Sequence, residues 1–180
     1  MSKKVLILSG SPRHKGNSDI LCDQFMKGAL EAGNEVEKFF IADHNIGYCS
    51  ACSSCRHHDG ECCKKDDMRL LMPKLLEAAV IVLATPVYMY SLSAQLKAVI
   101  DRAVAQYEVI RDKEMYYIMT AAEDEPNTMD TTLGCLRGWA DCIPGSKEMG
   151  VIYGKGVYEK GEVLSTPAFN EAYQMGKSVE

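Results

Sequence analysis

The sequence predicts an α/β fold with a doubly wound parallel sheet, and three short apolar runs carry that prediction. Val5 to Leu8, Ala79 to Ala84 and Met115 to Met119 are continuous apolar segments of strand length. Each stops abruptly, at Ser9-Gly10-Ser11-Pro12, at Thr85-Pro86 and at Thr120-Ala121-Ala122-Glu123-Asp124. Strands covered by helices on both faces read this way, because neither face alternates with solvent. Helical spacing fills the intervals between them, which implies parallel strands joined by right-handed crossovers.

Taken in order, the first strand is followed by a helix with Leu21, Phe25, Ala29 and Ala32 on one face, Asn17 or Ser18 as its cap, and Gly33 at its end. Val36 to Ile41 reads as the second strand. A cysteine-rich stretch from Cys49 to Cys63 then precedes a helix near Met68 to Glu77 and the strand at Ala79 to Ala84. Leu96, Val99, Ile100 and Ala103 mark an amphipathic helix ahead of the Met115 to Met119 strand. A helix over Thr128 to Cys142, a strand over Glu148 to Tyr153 and a helix over Ala168 to Lys177 complete the chain. Five strands fit a flavodoxin-like five-stranded parallel sheet of order 2-1-3-4-5 with helices on both faces. No repeat or linker interrupts it, so residues 1–180 are read as one domain carrying a cysteine-rich insert at about 43–67.

Composition narrows the function classes. With 180 residues, 47% of them hydrophobic and 25% charged, the chain has the makeup of an ordinary globular domain. Twenty basic against twenty-five acidic side chains leave a net charge of −5, which argues against phosphate-led binding to nucleic acid or an anionic membrane. Lys3 and Lys4 precede only four apolar residues, fewer than the roughly 7 to 15 of a secretory core, and nothing reaches membrane-span length. A cytoplasmic location is expected. In a reducing compartment the eight cysteines point to metal, redox or packing roles ahead of a disulfide framework.

Ligands of doubly wound sheets bind beyond the carboxyl ends of the strands. That rule selects residues 9–18, 85–91 and 120–124. The first of these loops joins a strand to a helix N-terminus, where unpaired N–H groups favour an anion. Three serine hydroxyls, the Asn17 amide and Arg13 add to a cradle suited to a phosphate monoester. A nucleoside-triphosphate loop does not fit, since five residues separate Gly10 from Gly16 and Asn17 stands where a lysine is needed. The dinucleotide fingerprint fails too, as Glu159 occupies the third glycine position after Gly154-Lys155-Gly156.

Ser9-Gly10-Ser11-Pro12-Arg13 with Gly16-Asn17-Ser18, then Thr85-Pro86-Val87-Tyr88 and Ser93-Ala94-Gln95-Leu96-Lys97-Ala98-Val99-Ile100-Asp101-Arg102, resembles the NADPH-dependent FMN reductase and iron-sulfur flavoprotein group of the flavodoxin-like superfamily. The resemblance implies FMN as cofactor and NAD(P)H as co-substrate. It implies that Ser9, Ser11, Arg13, Asn17 and Ser18 hold the FMN phosphate. It implies further that Pro86, Val87, Tyr88, Met89, Tyr90 and Ser91 line the isoalloxazine, with Thr120, Ala121 and Ala122 at its pyrimidine edge. For Tyr88 and Tyr90, packing or a subunit contact is the competing role.

Cys49-x2-Cys52-x2-Cys55-x6-Cys62, with Cys63 adjacent, matches the layout that holds a 4Fe-4S cluster in the iron-sulfur flavoproteins. Two other readings stay open: a zinc site with His57 or His58, and a loop without metal. Cys22, Cys135 and Cys142 are expected to pack in the interior, Asp66-Asp67 to cap the following helix, and Trp139 to lie in the core or a dimer contact. The expected activity is an FMN-dependent oxidoreductase that takes hydride from NAD(P)H and passes electrons to a small acceptor such as a quinone or flavin. The alternative is an iron-sulfur flavoprotein relaying electrons between a ferredoxin-like carrier and FMN, and a third reading is a non-enzymatic FMN sensor. A homodimer or tetramer is expected.

Overall fold

A computed structural model describes residues 2–125 and 127–180. Five strands, β1 (Lys4–Ser9), β2 (Glu35–Phe40), β3 (Val80–Pro86), β4 (Glu114–Thr120) and β5 (Lys147–Gly154), form one sheet of order β2-β1-β3-β4-β5. Every pairing is parallel, as the flavodoxin-like reading requires. The helices are α1 (Asn17–Glu31), α2 (Met68–Glu77), α3 (Ala94–Arg102), α4 (Asp130–Asp141) and α5 (Pro167–Lys177).

Alternation along each strand divides the interior into two layers. Val5, Ile7, Val82, Ile118 and Ile152 pack with Leu21, Phe25 and Ala29 of α1 and Ala168 and Ala172 of α5. Leu6, Leu8, Ile81, Leu83 and Tyr117 face the other way, onto Leu71, Leu75, Leu96, Val99, Leu136 and Trp139 from α2, α3 and α4. The central strands are buried on both faces, which is why they read as unbroken apolar runs.

Helices α1 and α5 approach each other through Gly28 and Gly176. A Cβ on Gly28 would collide with the Tyr173 carbonyl, and one on Gly176 with the Phe25 carbonyl. Because both obstacles are backbone, relief requires the helices to separate. Gly28→Ala should therefore lower stability by about 1 to 3 kcal/mol in urea unfolding, and an unchanged midpoint would show that the contact is loose.

Several local expectations are corrected. Ala32 is exposed, not on the buried face of α1, because it lies at the C-cap. The N-cap is Gly16, with no side-chain bond, while Asn17 and Ser18 lie inside the first turn. Ile41 belongs to a short 3-10 turn after β2. Cys22 is buried as expected, and its burial pushes the thiol pKa up. Cys135 and Cys142 are exposed, since the buried stripe of α4 runs through Thr132, Leu133, Leu136 and Trp139.

Candidate functional site

The loop from β1 to α1 folds back on itself. Ser11 Oγ donates to the Arg13 carbonyl at 2.8 Å and accepts from Arg13 N at 3.1 Å. Gly16 lies so close beneath this turn that a Cβ there would sit 2.7 Å from Ser11 Oγ. Asp19 in the first turn of α1 accepts from Ser9 Oγ at 3.0 Å and from Lys15 N at 2.8 Å, and Lys38 of β2 neutralises it at 2.9 Å. The Asn17 amide donates to Glu159 O at 2.9 Å and accepts from Gly161 N at 3.0 Å.

Most of the anticipated phosphate groups are thus engaged in holding the loop. Arg13 is exposed, with a 3.5 Å contact to Tyr158 O. Ser18 differs from its neighbours: its Oγ is buried in the first turn of α1 without any hydrogen-bond partner. The first intrahelical bond runs from Ile20 N to Gly16 O, so the N–H groups before it are also available. A buried orphan hydroxyl beside open helix N–H groups is a donor set that fits a phosphate.

The second loop is a tight two-residue turn. Tyr88 and Ser91 exchange backbone hydrogen bonds of 2.9 and 3.0 Å, and Met89 and Tyr90 between them have φ of 48° and 58°. Such turns favour Asn-Gly, so two bulky residues held left-handed represent local strain of the kind found at ligand sites. Met89 is 97% exposed and Tyr88 and Tyr90 are also exposed, which leaves an apolar and aromatic surface beside the strand ends. Pro86, Val87 and Ser91 are half-buried beneath it.

The loops are tied to one another. Gly10 N donates to Ala84 O at 2.8 Å and Ser93 Oγ donates to Gly10 O at 2.7 Å, joining the first two. Val87 N donates to Thr120 O at 2.7 Å, and the Tyr90 hydroxyl donates to Glu123 at 3.0 Å. That carboxylate pushes the Tyr90 pKa up. Thr120 and Ala121 are buried and Ala122 is exposed. The structure therefore gathers the 9–18, 85–91 and 120–124 loops at one end of the sheet.

The cysteine segment hangs from a buried clasp. Arg102, at the end of α3, places both terminal nitrogens on Asp66 at 2.6 and 2.9 Å and donates to Gly47 O at 2.8 Å. Asp66 in turn accepts from Gly47 N and Met68 N, so it anchors the insert as well as meeting α2. Within the loop, Cys52 and Cys63 approach to 3.6 Å between sulfurs. The Ser54 N–H and the Cys63 thiol draw the Cys52 pKa down, while Cys52 pushes that of Cys63 up. Among the described residues, no three His, Cys, Asp or Glu side chains are grouped to hold a metal ion, so Cys49, Cys52, Cys55 and Cys62 do not form a ligand shell as folded here.

The sequence model of the NADPH-dependent FMN reductase family matches residues 3–129. The chain belongs to this family. An iron-sulfur flavoprotein of Archaeoglobus fulgidus is 39% identical over 99 residues, covering 55% of this chain and 44% of that protein. The chain spans about half the length of the curated relatives it matches. Among solved structures, an NAD(P)H:quinone oxidoreductase from Methanothermobacter marburgensis superposes with a TM-score of 0.79 at 16% identity, covering 100% of this chain and 97% of that one. An FMN-dependent NADH-azoreductase from Bacillus anthracis in complex with FMN gives 0.73 at 16% identity, covering 96% and 97%. At these identities the structural likeness concerns the fold.

In this FMN reductase family member, sequence reasoning missed two parts of the site. A fourth loop, from the end of β5 to the start of α5, lies against the first through Asn17, which also accepts from Val163 N at 3.4 Å. Nothing local reports that Glu159 meets Asn17, 142 residues earlier in the chain. Asp19, which no motif in the sequence singles out, is the other part: Lys38 of β2 makes it a buried ionic support for the loop. No helix of the described residues is long and apolar enough to cross a membrane.

Proposed function

We propose that residues 1–180 form a single FMN-binding domain and that the protein is an FMN-dependent oxidoreductase using NAD(P)H and a small acceptor such as a quinone or flavin. The observation that carries the reading is the pairing of a phosphate-ready helix N-terminus, with its orphan Ser18 hydroxyl, and a strained aromatic turn one strand away. Bound FMN would supply the two-electron chemistry. Ser18, Arg13 and the first-turn N–H groups of α1 would hold its phosphate, with Ser9, Ser11 and Asn17 keeping the loop in shape. Pro86, Val87, Tyr88, Met89, Tyr90 and Ser91 would present the flat surface for the ring, and Thr120, Ala121 and Ala122 its polar edge. Glu123 accepts a hydrogen bond from the Tyr90 hydroxyl and so holds the ring in place.

A second reading is favoured by the cysteine spacing and by the relatives named iron-sulfur flavoproteins: a 4Fe-4S cluster on Cys49, Cys52, Cys55 and Cys62 relaying electrons from a ferredoxin-like carrier. Holding a cluster would require the 49–63 segment to rearrange around it. A cytoplasmic homodimer or tetramer, with the exposed Tyr88 to Tyr90 turn near a subunit boundary, accompanies either reading.

The visible spectrum of protein purified without oxygen, with iron and acid-labile sulfide assays, tests both. Flavin absorbance that NADH or NADPH bleaches without a carrier is the expected result. Iron and sulfide, with bleaching only by a reduced carrier, would favour the second reading. Colourless protein that fails to take up added FMN would overturn both.

A further inference from the structure

The cysteine segment contains one more thiol than a four-ligand site uses, and the structure places that extra thiol, Cys63, against Cys52. Their sulfurs are 3.6 Å apart, and both residues are exposed. Of the two adjacent cysteines, it is Cys63 that meets Cys52, while Cys62 is half-buried and lies toward Arg102. A disulfide requires sulfurs about 2.05 Å apart, so closing the pair demands a shift of roughly 1.5 Å. The segment can supply it: the two cysteines lie in a surface loop whose ends are fixed by the Arg102 clasp at Gly47 and Asp66. The loop contains no long regular element, only a short 3-10 turn from Ser54 to His57.

We propose that Cys52 and Cys63 form a reversible dithiol–disulfide pair that responds to low-molecular-weight disulfides. The Cys52 sulfur attacks the small disulfide RSSR, forming a mixed Cys52–S–S–R bond and releasing one RSH. The Cys63 sulfur then attacks Cys52 Sγ and releases the second RSH. The two cysteines together lose two hydrogens, and RSSR is reduced to two RSH. Cys52 is also one of the four thiols of the proposed cluster set, so the bridged chain lacks one ligand of that set. Bridge formation itself depends on neither flavin nor iron, and its failure is therefore separable from failure of the proposed function.

The test starts from fully reduced full-length chain, freed of reductant without oxygen and exposed to oxidised glutathione. Remaining thiols are blocked with N-ethylmaleimide before peptide mapping. Trypsin cuts after Arg56 and Lys64, which puts Cys52 and Cys63 on separate peptides. The expected result is a loss of two thiols per chain, a cross-link that fragmentation assigns to Cys52 and Cys63, and no lasting glutathione adduct. Cys63→Ser should instead accumulate a stable glutathione adduct on Cys52, and Cys62→Ser should still form the bridge. A cross-link that forms first between any other pair, a persistent adduct on wild-type Cys52, or unchanged loss of two thiols in Cys63→Ser would each overturn the proposal.

Discussion

Replacing Arg102 by alanine should lower the unfolding free energy by about 3 to 5 kcal/mol, because it leaves the Asp66 carboxylate in a site built for a cation. The Arg102 side chain is 1% exposed and that of Asp66 11% exposed, so the pair is largely shielded from solvent in the folded protein. Lysine should rescue little, since one ammonium cannot reproduce the two-pronged contact with Asp66 together with the bond to Gly47 O. Urea unfolding measures the loss, and a wild-type midpoint in Arg102→Ala would show that the clasp is dispensable.

The same pair has a pH signature. Burial works to raise the Asp66 pKa, but the Arg102 bonds and the Gly47 and Met68 N–H donors outweigh it and hold the carboxyl below its ordinary 3.8. A carboxyl held low in the folded state stabilises the protein above its unfolded pKa, and that contribution fades as pH falls through the folded value. Wild-type stability should therefore decline below about pH 4, and Asp66→Asn should remove that part of the decline.

Removing the Ser18 hydroxyl should weaken FMN binding by roughly 10- to 100-fold, the range expected for a hydrogen bond to a charged phosphate. Its effect on the protein without cofactor should be small or slightly stabilising, because Ser18 Oγ has no partner to lose. Titrating FMN into Ser18→Ala by fluorescence quenching, alongside urea unfolding of the flavin-free protein, reads the two effects separately. Unchanged FMN affinity would remove Ser18 from the proposed phosphate site. Asn17 makes a poorer probe, since its amide connects α1 to the loop after β5 and any substitution there disturbs the scaffold as well.

The central strands were readable because each is buried on both faces and its apolar run ends where the loop begins, and their order followed from the fit of five parallel strands to a flavodoxin-like sheet. Val5 to Leu8 and Val80 to Ala84 needed only local composition to be recognised. The positions of the three candidate loops followed from parallel topology, since such a sheet exposes its useful backbone beyond the strand ends. Side-chain roles were less legible. Serines and asparagine in a strand-to-helix loop have several possible partners, and only packing shows that Ser9 serves Asp19 while Ser18 has none. Cys135 and Cys142 looked internal because helical periodicity identifies a face only to within one residue's rotation, and here α4 turns its Leu136 and Trp139 side to the sheet.

The sequence by itself determined the class of the molecule: the doubly wound sheet, the serine-rich loop between the first strand and helix, the cysteine-rich insert and the family resemblance. These are written in short spans, where each residue's meaning depends on neighbours a few positions away. Only the tertiary structure decided which cysteine faces Cys52, that Arg102 holds the insert through Asp66, and that a loop near residue 160 supports the one near residue 17. Those contacts join residues far apart in the chain, and their geometry is set by how helices and strands pack, so no local pattern carries it.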